Sequence, residues 1–198
     1  YHRQQLNIPI LQITGTNGKT STKELIACVL QEARKVLYTE GNLNNHLGVP
    51  RTLLRINKEH DIAVIETGAN HPGEIAFLCN MVKANFGLIT NVGRAHLEGF
   101  GSFQGVKKTK GELYDDLQQR KAKIFLNALD EDLLKMAEER GFHLYDTAIP
   151  YVEGRIEECN PFVRMQRRSE DEEPWHTVQT HLIGAYNISN LRAAITVG

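Results

Sequence analysis

Two glycines followed at close spacing by a lysine and a hydroxyl form the part of this sequence best suited to hold a phosphate. Gly15-Thr16-Asn17-Gly18-Lys19-Thr20 follows a short apolar run at 8–13 and precedes a helical pattern at 20–33. In that setting the N–H groups of the loop and of the helix start face an anion, and Lys19 adds a point charge at the β and γ phosphates. The Thr20 hydroxyl is then presented to Mg2+. The spacing is shorter than the usual G-x-x-x-x-G-K-[ST], so the generic match is imperfect. The plain alternative is a pair of glycines that only make a turn.

Two further positions stand where such a loop would need help. Glu66 closes the apolar run 61–66, within Ile65-Glu66-Thr67-Gly68-Ala69-Asn70. A strand-end carboxylate on its own is more often solvated or capping, but beside a phosphate loop it can reach the same Mg2+. His96 follows Thr90-Asn91-Val92-Gly93-Arg94-Ala95, where a neutral imidazole suits a second metal or a phosphate oxygen. His2, His60, His143, His176 and His181 read as structural or exposed. Lys107, Lys108 and Lys110 open the next helix, and the plain reading of Lys107 and Lys108 is a solvated basic face.

Chemistry at these points requires elements that bring them together. Apolar, β-branched runs at 8–13, 61–66, 86–91 and 123–126 predict strands. The patterns at 20–33, 73–82, 102–117 and 130–140 predict helices, the first with Leu25, Val29 and Ala33 on one face and the last with Asp130 as N-cap. This alternation implies an α/β fold: a mostly parallel sheet with helices on both faces, of the kind built around phosphate loops. Ligands then gather at the carboxyl ends of the strands, where Gly15, Glu66 and Thr90 all fall. Between 148 and 183 polar and apolar residues alternate around a polar turn at 169–174, which predicts antiparallel hairpins at the sheet edge. Residues 187–197 return to helix.

The composition narrows the classes. The 198 residues, 41% hydrophobic and 24% charged, suit one ordinary globular domain. A formal charge of -1 argues against a nucleic-acid-binding protein, which carries a basic excess. Cys28, Cys79 and Cys159 lie far apart without a CxxC pair, so neither a disulfide framework nor a zinc site is expected, and a reducing cytoplasm suits them. No apolar stretch approaches the ~20 residues of a membrane helix. The chain opens on Tyr1 and stops within the helical pattern Leu191, Ala194, Ile195, so an excised domain is expected, with flanking groups missing.

Together these segments resemble the central domain of the Mur ligases, which build the peptide of the bacterial cell wall. The resemblance runs over 13–197. It rests on Thr14-Gly15-Thr16-Asn17-Gly18-Lys19-Thr20-Ser21, Glu66, Thr90-Asn91-Val92 with His96, and Gly184-Ala185-Tyr186-Asn187-Ile188-Ser189-Asn190-Leu191-Arg192-Ala193-Ala194. The short loop that fails the generic pattern is the form this family uses. Three stretches, 41–50, 68–75 and 96–102, resemble the branch that joins D-alanyl-D-alanine to a UDP-N-acetylmuramoyl-tripeptide.

The resemblance implies roles. The loop 15–21 and Lys19 would hold ATP; Thr20 and Glu66 would hold one Mg2+, and His96 a second. Lys110 falls where relatives carry a lysine carbamylated by CO2, making Lys19, Lys110 and His96 the expected catalytic set. Asn187 and Asn190 match asparagines at the adenine and ribose end, although Tyr186 stands where relatives commonly have His. Residues 1–198 are then a central ATP-binding domain, expected to be monomeric and cytoplasmic. The UDP-sugar and the amine would be held mainly by domains that lie outside it, and the isolated domain would not ligate. The alternatives are another amide ligase of the family, folylpolyglutamate synthase, or a phosphate-loop switch.

Overall fold

Six short strands rich in Ile, Val and Leu form one parallel sheet in the computed structural model, which describes residues 2–5, 7–93, 100–169 and 172–198. They are β1 (Ile10–Thr14), β2 (Val36–Tyr38), β3 (Ile62–Glu66), β4 (Phe86–Ile89), β5 (Lys123–Leu126) and β6 (Ala148–Pro150), in the order β2-β3-β1-β4-β5-β6. All five residues of central β1 are buried, as a parallel strand covered on both faces requires. Six α-helices have bounds among the described residues, α1 (Lys19–Gln31), α2 (Gly48–Leu54), α3 (Glu74–Val82), α4 (Phe103–Gln119), α5 (Glu131–Glu138) and α6 (Ile188–Val197). Asp130 caps α5 as expected, accepting from the Leu133 amide.

Strand alternation sorts the core into two layers. Ile10, Ala63 and Ile65 face α2, α3, α4 and α5, where Val49, Leu78, Leu113 and Met136 are buried. Leu11, Ile13, Val64 and Leu88 face the other way, onto Ile26 of α1 and Ala193 and Ala194 of α6. Packed between sheet and α6, α1 buries Thr22, Lys23, Ile26 and Ala27. This corrects the expected face of that helix in part: Leu25 packs partly buried against the core, but Val29 is 39% exposed and Ala33 lies beyond the helix. The burying face carries polar residues that have partners, and an apolar period does not count them.

The antiparallel region is present as a sheet of its own, β7 (Glu153–Cys159), β8 (Phe162–Arg168) and β9 (His176–Ile183). Its strands do not pair with the large sheet, whose edge there is β6. Val163 and Met165 instead pack on Leu191 of α6. Arg192 fixes that helix from within: its guanidinium donates to the Val152 carbonyl at 2.7 Å and to Asn127 Oδ1 at 3.4 Å. Among the described residues no helix is long and apolar enough to cross a membrane.

Helix α3 begins without a capping side chain of its own, since its N-cap is Gly73 in the left-handed region. Glu112 of α4 serves instead, accepting from the Gly73 amide at 2.7 Å and the Ala76 amide at 2.9 Å. A carboxylate suits the positive end of the helix and satisfies two donors that have no partner inside it. Glu112→Ala is expected to lower the unfolding free energy by about 1–3 kcal/mol, and Glu112→Gln by less. The shift of the urea midpoint measures it; no shift for the alanine variant would refute the cap.

Candidate functional site

The order β3-β1-β4 sets three strand ends side by side. Ile13 pairs with Glu66 across β1 and β3, and Thr14 with Ile89 across β1 and β4. The Gly15 to Thr20 loop therefore leaves the sheet between Glu66 and Thr90, at the edge where parallel sheets bind ligands.

Glycine is needed twice in that loop. Gly15 has φ 145° and Gly18 φ 76°. A Cβ on Gly15 would lie 2.0 Å from Thr90 Oγ1, and one on Gly18 2.9 Å from Asn190 Oδ1. The loop is braced by β4: the Thr16 amide donates to the Asn91 carbonyl at 3.0 Å and the Asn17 amide to Asn91 Oδ1 at 3.1 Å. Thr90 Oγ1 and Asn91 Nδ2 donate to the Asn17 carbonyl at 2.6 and 3.0 Å. Gly18 is the N-cap of α1 and offers no side chain, so the first amides of that helix are left as donors for an anion. Thr16 is buried, whereas Asn17, Thr20 and Ser21 are exposed. Lys19 Nζ donates to the Gly15 and Thr16 carbonyls, both at 2.9 Å. Burial lowers its pKa, and Glu66 opposes that shift.

Glu66 is 1% exposed and its carboxylate is fully engaged. It accepts from Thr20 Oγ1 at 3.2 and 3.0 Å on its two oxygens and from Asn44 Nδ2 at 2.8 Å. Its amide donates to Thr39 Oγ1 at 2.9 Å. The Lys23 ammonium, wholly buried, lies 3.9 Å away, donates to the Gly41 carbonyl at 2.8 Å and pairs with Glu24 at 2.9 Å. The hydroxyl of Thr20 and the carboxylate of Glu66 are hard oxygen donors within contact of each other. That donor set fits Mg2+, which takes one or two protein oxygens and fills its octahedron with water and phosphate. His96 lies outside the described residues. Among the described residues no group of three or more His, Cys, Asp or Glu side chains converges as a metal site.

Lys110 is brought into the site, while Lys107 and Lys108 are not. Lys107 bonds Asp132 on α5, and Lys108 is exposed. Lys110 is 3% exposed, with Nζ 5.6 Å from the Phe100 ring. Burial, with Lys19 nearby, pushes its pKa down to about 8, and Glu112 and Glu74 partly oppose the shift. Lys19 and Lys110 share a cavity of about 490 Å³ with Asn44, His46, Glu74 and Phe77, a volume in the range of small-molecule sites.

Asn187 and Asn190 come to the loop from the far end of the chain. Asn190 Oδ1 accepts from Thr22 Oγ1 at 3.0 Å, and its Nδ2 donates to Asn187 Oδ1 at 3.0 Å. Both are buried, whereas Tyr186 is 77% exposed. Residues that sequence reasoning gave no role are Asn44, Lys23 and the Thr90-Asn91 brace. Asn44 carried a signal through its stretch at 41–50; Lys23 carried none, for it reads as one more charge on a surface helix.

Residues 13–198 match the family model of the Mur ligase middle domain. The UDP-N-acetylmuramoyl-tripeptide--D-alanyl-D-alanine ligase of Escherichia coli (strain K12) is 48% identical over 132 residues, 67% of this chain and 29% of that protein. A crystal structure of MurF from Acinetobacter baumannii is 31% identical, with TM-score 0.86, over 99% of this chain and 44% of that one. The MurF ligase of Thermotoga maritima, solved in complex with ADP, is 25% identical with TM-score 0.83, over 99% and 47% respectively. The chain thus spans under half the length of each of these relatives.

The lowered pKa of Lys110 has a consequence for stability. An unfolded lysine keeps its proton up to about 10.5, whereas the folded one releases it near 8. The stability gained from the neutral amine is therefore complete above the higher value and lost as pH falls through the lower one. Lys110→Met is expected to stabilise the protein, relative to wild type, more at pH 7 than at pH 10. Urea unfolding at both pH values checks this, and an equal gap at each would contradict it.

Proposed function

Since the chain belongs to the Mur ligase family through its middle domain, we propose that it is the central ATP-binding domain of a ligase that joins D-alanyl-D-alanine to a UDP-N-acetylmuramoyl-tripeptide. The observation that carries this reading is the short glycine loop with Thr20 Oγ1 held 3.0 Å from a Glu66 oxygen, beside a cavity walled by Asn44 and Glu74. Those two residues belong to the stretches 41–50 and 68–75 that resemble the D-alanyl-D-alanine branch.

In this reading the tripeptide carboxylate attacks the γ phosphorus of ATP, ADP leaves, and the acyl phosphate formed is displaced by the amine with loss of phosphate. A carboxylate alone is a poor acyl donor, and phosphorylation supplies the leaving group. Lys19 and the amides at the start of α1, from Gly18 to Ser21, hold the phosphates and offset the charge of the transferring group, while Gly15, Thr16 and Asn17 shape the loop around them. Thr20 and Glu66 are the residues that would hold Mg2+, which when bound neutralises charge on the β and γ oxygens. Asn187 and Asn190 brace the loop and flank the nucleotide. Carbamylation of Lys110 is supported by its lowered pKa, because the neutral amine is the form that adds CO2. His96 as ligand of a second metal rests on the resemblance alone.

The UDP-sugar and the amine are assigned mainly to other domains of a longer, monomeric, cytoplasmic parent. That division rests on the family resemblance, and the chain's spanning under half of each relative is consistent with it. The domain alone then binds nucleotide weakly and does not ligate.

Lys19→Ala in the full-length parent is expected to cut ligation at least a hundredfold, as loss of a phosphate-binding cation at the transferring group does. A coupled assay of ADP release checks it, with D-alanyl-D-alanine compared against glutamate and a diamino acid as amine. Unchanged turnover would sink the assignment of the loop, and preference for another amine would move the protein to another branch.

A further inference from the structure

The walls of the cavity beside the loop differ in charge. Lys19 and Lys110 bring two amines to it, and Glu74, at the start of α3, brings a carboxylate; among its described lining residues no other carboxylate is found. Glu74 is held firmly but only by half of its carboxylate. Its Oε2 accepts from the Asn70 amide at 2.7 Å and the His71 amide at 3.1 Å. Its Oε1 has no hydrogen-bond partner among the described residues. Burial raises the pKa of this carboxyl, but the two amides and the nearby His71 and His46 outweigh that, and the net shift is downward. Glu74 therefore keeps its charge, and that charge acts on Lys110 in opposition to Lys19.

An amine substrate arrives near neutral pH as an ammonium: three donors, no acceptor. Lys19 repels it, as does Lys110 while its amine is protonated and uncarbamylated, and a carboxylate on the cavity wall can hold it. The rest of the wall offers amide and imidazole groups from Asn44, Asn45, His46 and Asn70, none of which carries negative charge. We propose that Glu74, through its Oε1, binds the ammonium of the incoming amine substrate and positions it beside the phosphate loop. This rests on the ligase reading above and adds to it the residue that receives the nucleophile. The tripeptide is a second source of the same chemistry, because its third residue can carry a side-chain amine.

Glu74→Gln in the full-length parent separates these roles, since glutamine still accepts from the Asn70 and His71 amides but carries no charge. The expected result is a rise in KM for D-alanyl-D-alanine of about tenfold to a hundredfold, the size of a lost charge-assisted hydrogen bond. KM for ATP and for the UDP-tripeptide should stay within about twofold. Glu74→Asp, which keeps the charge and shortens the reach, should fall between; it also serves if the glutamine variant loses its fold, as judged by ATP binding. D-lactyl-D-alanine, with a hydroxyl in place of the amine, should inhibit wild type and variant equally. A rise confined to the UDP-tripeptide, an equal loss for the hydroxyl analogue, or no change in either KM overturns the proposal. A wild-type parent that does not use D-alanyl-D-alanine at all would instead overturn the ligase reading.

Discussion

A carboxylate taken out of water costs several kcal/mol unless donors surround it, and the compensation of Glu66 ties together the segments that make the site. The Thr20 hydroxyl that donates to it comes from α1 and the Asn44 amide from the connection after β2, while the Glu66 backbone amide donates to the Thr39 hydroxyl at the end of β2. Lys23, a turn beyond Thr20 on α1, places an ammonium 3.9 Å away and holds the Gly41 carbonyl as well. The same contacts that make the anion tolerable therefore fix the spacing of loop, helix and cavity wall. Without Glu66, Lys23 would be a buried cation left with the half-exposed Glu24, the Gly41 carbonyl and the Tyr38 ring.

The sheet supplies the other half of the constraint. Because β1 lies between β3 and β4, whatever follows β1 is flanked by whatever ends its neighbours. The period of two along β1 sends Ile10 to one layer and Leu11 and Ile13 to the other, which locks the strand in register. The loop inherits that precision. Its glycines are then demanded by neighbours as well as by their own φ, since Thr90 and Asn190 occupy the space their Cβ atoms would take.

What the sequence disclosed follows from the range of each signal. The four longer strands and the helices that follow them were legible because each carries several apolar residues at a regular period. β2 and β6 are three residues each, and α2 has Pro50 in its first turn, so no period could develop. The burying face of α1 was partly misread because Thr22 and Lys23 belong to it. The small antiparallel sheet was legible as strands, but its seat on Val163, Met165 and Leu191 is a tertiary fact. In the site, contiguous residues such as Gly15 to Thr20 announced themselves. Lys23, Asn44 and Glu112 act on partners 18 or more positions away, and of the three only Asn44 is marked locally, by its stretch at 41–50.

The bond from Thr22 to Asn190 closes a separation of 168 residues. Its consequence lies in time. At a synthesis rate of about 5–20 residues per second, the loop is made roughly 10–30 s before the asparagine that braces it. During that interval α1 lacks the helix that covers it, and Ile26 and Leu25 have no α6 to pack against. The nascent chain must wait with an apolar surface uncovered, which is the condition that attracts chaperones and favours misassembly. Helix α6 is thus the one that completes this domain, and long-range closure of this kind is a slow, late event in folding.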